Sequence, residues 1–466
     1  MFFQQFYLGC LAHASYMIGS NGEAVVVDPQ RDVEIYLETA AQNGLAIRHI
    51  FETHLHADFV SGHKELAQRT GAKIYVGAAA GAKFPHVRLL DGFTLQVGTV
   101  CITALETPGH TPESICLVLT DGERGDEPWA VLTGDTLFVG DVGRPDLSPT
   151  HTPQQLANMM YDSLHHKLMT LPDKTLVYPA HGAGSLCGRN MRAESSSTIG
   201  TERLTNWALQ IKTREDFVAQ MTANLPARPE YFAQDAAINR EGAAALEDLP
   251  ALAPIPPAEL QSQIAQGVTA LDVRHQDEFA AGHVPGSICI PLGGQFASWA
   301  GAVLGLSASP VLIGTNDEQI SEARLRLARV GIEDVAGYLS GGISGWKAAG
   351  LPLETVPQLT VQELKGQLDK NAVRVLDVRR QGEWNAGHID GAHWHALDQF
   401  KKHLPELDHK SPPFAVHCKG GYRSMIACSF LMRAGHKNVI NVIGGFDAWE
   451  KTNVPVAQQA TAAAKA

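Results

Sequence analysis

The second half of this chain repeats itself. Leu271-Asp272-Val273-Arg274 recurs as Leu376-Asp377-Val378-Arg379, and Asp272 and Asp377 stand 105 positions apart. Glu278-Phe279-Ala280-Ala281-Gly282-His283-Val284-Pro285-Gly286 recurs as Glu383-Trp384-Asn385-Ala386-Gly387-His388-Ile389-Asp390-Gly391, and His283 to His388 has the same offset. Gly341-Gly342-Ile343-Ser344-Gly345-Trp346 returns as Gly444-Gly445-Phe446-Asp447-Ala448-Trp449. Solenoid repeats run about 20–50 residues, so a period this long is a domain duplication. Each copy alternates short apolar strands with helices, which predicts a small parallel α/β sheet. The uncharged Pro/Ala-rich stretch from Leu249 to Pro257 reads as a linker. The 466 residues therefore divide into three domains, 1–245, 255–355 and 358–458. The tail Ala460 to Ala466 has no apolar pattern and is expected to fray.

Ahead of the repeat, Ala24-Val25-Val26-Val27 is a buried-strand run ended by Asp28-Pro29. Val33 to Gln42 reads as a helix, His49-Ile50-Phe51 as the next strand and Arg203 to Ala223 as a later helix, with a turn over 224–228. Directly after the second strand comes Thr53-His54-Leu55-His56-Ala57-Asp58-Phe59. At a strand exit, two imidazoles and a carboxylate can converge on one point. Thr107-Pro108-Gly109-His110, Thr133-Gly134-Asp135 and Tyr178-Pro179-Ala180-His181 follow at the ends of further predicted strands, where layered α/β architectures carry their sites. One such histidine alone is more often a satisfied structural residue. Four such segments in order point to a metal centre.

This order of motifs resembles the metallo-β-lactamase superfamily over residues 1 to about 245, which implies an αββα sandwich followed by two smaller α/β domains. Two subfamilies compete within the resemblance: dizinc thioester hydrolases of the glyoxalase II type and mononuclear iron persulfide dioxygenases. The hydrolase pattern has a histidine after Asp58 to help hold a second cation. This chain has Phe59, which ligates nothing. Carried over from the dioxygenase family, the ligands are His54, His110 and Asp135, with His56, Asp58 and His181 around them. Two imidazoles and a carboxylate are the facial triad suited to one Fe(II) and O2. Gly143-Arg144-Pro145-Asp146 also matches the dioxygenases. Arg144 and Arg189 are candidates to neutralise an anionic thiol carrier of the glutathione or coenzyme A type. Tyr178 and Cys187 are further candidates beside substrate, Cys187 as a sulfur relay or as a small core residue.

In the last copy, the strand Phe414-Ala415-Val416-His417 runs into Cys418-Lys419-Gly420-Gly421-Tyr422-Arg423-Ser424, with a helix beginning at once. Glycines let such a loop curl its backbone N–H groups toward the sulfur, and the helix N-terminus adds positive potential. Both favour a thiolate or its persulfide. Arg423 is placed to hold an oxyanion such as sulfite or thiosulfate. The loop and the Asp-Val-Arg and Ala-Gly-His signatures resemble the rhodanese family across both copies. The phosphatases that share this fold use a loop about one residue longer, so six positions from Cys418 to Arg423 favour sulfur. The first copy reads Val311-Leu312-Ile313-Gly314-Thr315-Asn316-Asp317, with neither cysteine nor arginine, and is expected to be inactive. Cys289 belongs to the earlier strand after Gly286 and does not replace the missing nucleophile, and Cys428, a helical turn beyond Arg423, is expected in the core.

Bulk properties exclude other classes. A formal charge of −12 disfavours nucleic acid and anionic membranes as partners, and no apolar run approaches a transmembrane length. The start Met-Phe-Phe-Gln-Gln-Phe-Tyr has no basic leader pattern, and seven scattered cysteines fit reduced thiols in a cytoplasm. The expectation is a cytoplasmic enzyme of small sulfur compounds, with homo-oligomerisation left open.

Overall fold

The structure is a computed structural model and describes residues 1–223, 225, 227–408, 412–452 and 456–458. The tail 460–466 and part of the turn expected over 224–228 lie outside the described residues. The chain forms two compact units, Met1–Leu249 with Ala328–Gly331, and Pro250–Leu327 with Ile332–Ala466.

The first unit contains two six-stranded sheets. One is built in chain order from β1 (Phe2–Leu8), β2 (His13–Ser20), β3 (Glu23–Val27), β4 (Ala46–Glu52), β5 (Lys73–Gly77) and β6 (Val87–Leu89). The other comprises β7 (Thr94–Val97), β8 (Val100–Glu106), β9 (Ile115–Asp121), β10 (Ala130–Gly134), β11 (Leu176–Pro179) and β12 (Ser197–Thr198). Alternation along each strand builds the layers. Ala14, Tyr16, Ile18, Val25, Val27 and Phe51 meet Ile102, Leu117, Leu119 and Leu132 of the second sheet. The opposite faces take helices: Met17, Val26, Ile50 and Ile74 pack with Tyr36 and Leu66, and Val118, Val131 and Val177 pack with Met160, Leu164 and Phe217. The result is an αββα sandwich.

The helix expected over Arg203 to Ala223 is broken into Ile199–Thr205, a short turn Ala208–Gln210 and Arg214–Thr222. Asn206 is the cause. Its side chain donates to the carbonyl of Asp141 at 3.0 Å and to Glu202 at 2.9 Å, and accepts the N–H of Ala208 at 3.1 Å. Asparagine competes with the helix ladder in this way, and Thr213 caps the next helix by accepting from Asp216 N.

The second unit holds two five-stranded parallel sheets of one topology. The first is ordered β13 (Pro254–Ile255), β17 (Gly337–Leu339), β16 (Val311–Ile313), β14 (Ala270–Asp272) and β15 (Ile288–Cys289). The second is ordered β18 (Gln358–Leu359), β22 (Val439–Val442), β21 (Phe414–His417), β19 (Arg374–Asp377) and β20 (His393–Trp394). Pro254 and Ile255, read as linker from sequence, pair with Tyr338 and Leu339 as an edge strand, where a proline is tolerated. The duplication extends to single hydrogen bonds. Arg274 forks onto Asp272 and donates to Gly282 O, as Arg379 does to Asp377 and Gly387 O. His283 stacks on Phe279 at 3.8 Å, and His388 on Trp384 at 3.6 Å.

Candidate functional site

In the first unit, the ends of β4, β8, β10 and β11 deliver His54, His110, Asp135 and His181 to one place. Each of these side chains is at most 2% exposed. Hydrogen-bond bookkeeping fixes what they present. His110 Nδ1 lies 2.9 Å from the carbonyl of Arg144, which can only accept, so Nδ1 carries the proton and Nε2 a lone pair. Thr53 Oγ1 donates to Asp28 Oδ2 at 2.8 Å, so it accepts from His54 Nδ1 at 3.1 Å, and His54 Nε2 is likewise a lone pair. Both lone pairs face Asp135 Oδ2, at 3.3 Å from His110 and 3.8 Å from His54. His54 Nε2 and Asp135 Oδ2 are buried with no hydrogen-bond partner among the described residues.

Three mutually repelling acceptors are sensible only around a cation. Ligands about 2.1 Å from one ion stand roughly 3.0–3.4 Å apart; the His110–Asp135 edge falls in that range, the His54–Asp135 edge is longer, and all three donor atoms lie within 4.8 Å of one another. The donor set therefore fits a metal ion. Burial, followed by the neighbouring imidazoles, holds His54 well below the usual histidine range, and burial lowers His110, leaving both neutral as ligands must be. Burial alone would raise Asp135, but the charge and hydrogen bond of His181 lead the effects that hold the carboxyl well below its ordinary value.

His181 sits between two carboxylates, Nδ1 2.7 Å from Asp135 Oδ1 and Nε2 2.9 Å from Asp58 Oδ2. Those charges overcome burial and raise it well above its ordinary value. His56 faces Asp28 at 3.2 Å and Glu52 at 3.8 Å, and Asp28 raises it against the opposing effect of burial. Phe59 is fully buried, with its ring 4.4 Å from His56 and 4.1 Å from His13. His56, Asp58 and His181 still offer atoms within 4.8 Å of one another, as do Asp135, His181 and Cys187. Cys187 is buried, and burial followed by Asp58 and Asp135 raises its thiol well above the usual range.

The remaining candidates lie differently. Arg144 is buried and forks onto Asp146 at 2.7 and 2.9 Å, while its backbone carbonyl orients His110. Gly143 precedes it because a Cβ there would stand 2.1 Å from Asp135 O and 2.8 Å from His110 Nδ1. Arg189 holds the carbonyls of Gln220 and Met221 at a helix end. Tyr178 belongs to an aromatic cluster with Phe3, Tyr16 and Trp129. Sequence reasoning passed over His13, Asp28 and Glu52, which follow no motif, and Asn239, whose amide holds the carbonyls of His56 and Phe59 at 2.8 and 2.7 Å.

In the second unit, Cys418 is buried at the end of β21. Gly421 N donates to its sulfur at 3.1 Å, and Ser424 Oγ lies 3.7 Å away. The carbonyls of Cys418 and Lys419 are taken by the N–H groups of Phe446 and Asp447 at 2.8 and 3.0 Å, which turns them away from the sulfur. Gly445 permits this approach at φ +53°, since a Cβ would meet Cys418 O at 2.4 Å. Lys419 and Gly420 are exposed, and Tyr422 Oη donates to Pro291 O of the first repeat at 2.7 Å. In that repeat Gly314 stands where Cys418 does, and a Cβ on it would meet Ile320 at 3.0 Å. Arg423 is forked onto Glu383 at 2.6 and 2.7 Å. The carboxylate occupies the guanidinium edge that an oxyanion would use, so Glu383→Gln is expected to tighten the binding of a small oxyanion at this loop about 3–10-fold at low salt, the worth of one partly exposed charge pair. Equilibrium titration checks this, and an unchanged affinity would mean that Arg423 plays no part in holding an anion.

A metal-binding αββα domain followed by a duplicated α/β module with one cysteine loop defines the class. Family models match accordingly, the metallo-beta-lactamase superfamily over residues 8–181 and the rhodanese-like domain over 256–349 and 360–452. The chain belongs to the metallo-beta-lactamase superfamily, in a fusion with two rhodanese-like domains. It is 31% identical to "Persulfide dioxygenase ETHE1, mitochondrial" of Bos taurus over 46% of this chain and 77% of that protein. It is 36% identical to the hydroxyacylglutathione hydrolase of Polaromonas sp. over 36% of this chain and 61% of that protein. The crystal structure of a metallo-beta-lactamase from Staphylococcus aureus subsp. aureus COL is similar at TM-score 0.65 and 35% identity, covering 73% of this chain and 98% of that one. Among the described residues, no helix is long and apolar enough to cross a membrane.

Proposed function

We propose that this chain is a persulfide dioxygenase joined to a sulfurtransferase. It oxidises the terminal sulfur of a low-molecular-weight thiol persulfide of the glutathione or coenzyme A type. One persulfide, one O2 and one water give the thiol, sulfite and two protons. The observation that carries the reading is the lone-pair triangle of His54, His110 and Asp135 beside the buried Phe59, a donor set for one cation next to a side chain that binds none. Fe(II) held there, one per chain, would supply redox chemistry and open coordination positions.

The chain's own residues do the rest. Arg144 O and Thr53 Oγ1 fix the ligand tautomers. His181 keeps a proton between Asp58 and Asp135, available to a leaving thiolate. Phe59 excludes water from the side of His56. At the second site, the Cys418 thiolate takes the outer sulfur of thiosulfate, forming the Cys418 persulfide and releasing sulfite. Run backwards, the same step joins sulfite to the carried sulfur. Tethering keeps the sulfite made at one site near the other.

The test is metal analysis of the purified chain together with O2 uptake on glutathione persulfide. One iron per chain with stoichiometric O2 consumption is expected. A second reading, a dizinc thioester hydrolase with an appended sulfurtransferase, is favoured by the grouping of His56, Asp58 and His181. Two zinc ions per chain with thioester hydrolysis and no O2 uptake would establish that reading in place of the first.

A further inference from the structure

We propose a second metal site, on the surface of the last rhodanese-like domain, formed by His395, His403 and Glu406 and taking a divalent transition ion such as Zn2+ or Cu2+. One donor atom from each side chain lies within 4.8 Å of the other two. His403 closes the short helix Phe400–His403 and Glu406 the following turn Leu404–Glu406, with His403 Nδ1 3.2 Å from Glu406 Oε2. A histidine and a carboxylate three apart on a helical turn are an ordinary surface pair when alone. The third group changes that. His395 comes from a different element, the exit of β20, where its backbone N–H is pinned to Asp377 O at 3.0 Å, and its ring centroid stands 5.0 Å from that of His403.

Lys401 and Lys402 lie on the same turn, but their ammonium groups reach Leu304 O at 3.2 Å and Gln399 Oε1 at 3.4 Å. Two imidazoles and one carboxylate suit zinc, copper or nickel; calcium and magnesium prefer all-oxygen sets. His395 and His403 are partly exposed and Glu406 more so, so an ion can enter from solvent and keep water in its remaining positions. An ion here would tie the β20 exit to the helical turn that follows. The inference is independent of the oxygen chemistry proposed above and uses none of its residues.

The test titrates the full chain, as purified, with Zn2+ under equilibrium dialysis beside His395→Ala, His403→Ala and Glu406→Gln. Other zinc-binding groups are common to all four proteins and cancel in the difference. Wild type is expected to take one ion per chain more than either histidine variant, and Glu406→Gln to bind that ion at least roughly tenfold more weakly, since losing a charged ligand costs no less than losing a ligand's outer partner. In Cu2+ electron paramagnetic resonance, coupling to two imidazole nitrogens in the wild type should fall to one in His395→Ala. Equal zinc uptake and affinity in wild type and the histidine variants, at unchanged thermal midpoints without added metal, would overturn the proposal.

Discussion

Cys418→Ser is expected to abolish thiosulfate sulfurtransferase activity, lowering turnover roughly 10³-fold or more, as loss of a nucleophile does. O2 uptake on glutathione persulfide should stay within about twofold of wild type. The asymmetry follows from what the loop provides. Serine fits the space, since Gly421 N donates to Oγ as readily as to Sγ, and Ser424 and Phe446 hold the same contacts. The variant is therefore expected to fold. What disappears is a sulfur nucleophile and an atom able to carry a second sulfur. The proposed oxidation would draw on His54, His110 and Asp135, none of which lies in this unit. Thiosulfate–cyanide transfer and an oxygen electrode measure the two arms separately. Loss of both in the serine variant would mean that small-molecule persulfide reaches the first site only by way of Cys418.

The parts of the site that sequence could reach are those carried by short contiguous motifs at strand ends. Thr53 to Phe59, Gly109-His110 and Gly134-Asp135 each place a donor within a few residues of a recognisable strand, so their order pointed to a metal centre, while the choice of His54, His110 and Asp135 as its ligands came from the family resemblance. The cysteine loop was legible for the same reason, and so was the duplication, which the Asp272–Arg274 and Asp377–Arg379 forks repeat bond for bond. What escaped depends on pairing across the fold. Glu383 meets Arg423 across 40 positions, and Asn239 reaches Phe59 across 180; nothing local announces either pair. His13 sits in a plain strand, and its place beside Phe59 exists only once β2 is laid along His181. Arg144 shows a different difficulty. Sequence gives it a charge, and only geometry shows that Asp146 claims the guanidinium while the backbone carbonyl serves His110. Pro254–Ile255 pairs over two residues, too short for periodicity to mark.

Asp135→Asn should empty the metal centre while leaving the fold intact. The substitution keeps the shape and reverses the character of one atom. The new carboxamide can turn its carbonyl oxygen to His181 Nδ1, replacing Oδ1, and its amide nitrogen to the site of Oδ2. There it would donate to the lone pair of His110 Nε2 or His54 Nε2, which stand 3.3 and 3.8 Å from Oδ2 in the wild type. The new hydrogen bond offsets only part of the lost charge attraction between Asp135 and His181, so the metal-free variant is expected to fold but to melt somewhat below metal-free wild type. The cation loses its one anionic ligand, and affinity should fall at least about 100-fold, beyond the 10–100-fold seen for partners of ligands. A metal at about 1,000 times its Kd adds roughly 4 kcal/mol, or on the order of 10 °C for a domain of this size. Chelation should therefore lower the melting transition of the first unit in wild type by about that much and leave the variant unmoved, with iron content and O2 uptake lost in parallel. Iron retained at wild-type occupancy in the variant would show that Asp135 is not a ligand. The lone pairs of His54 and His110 would then need another explanation.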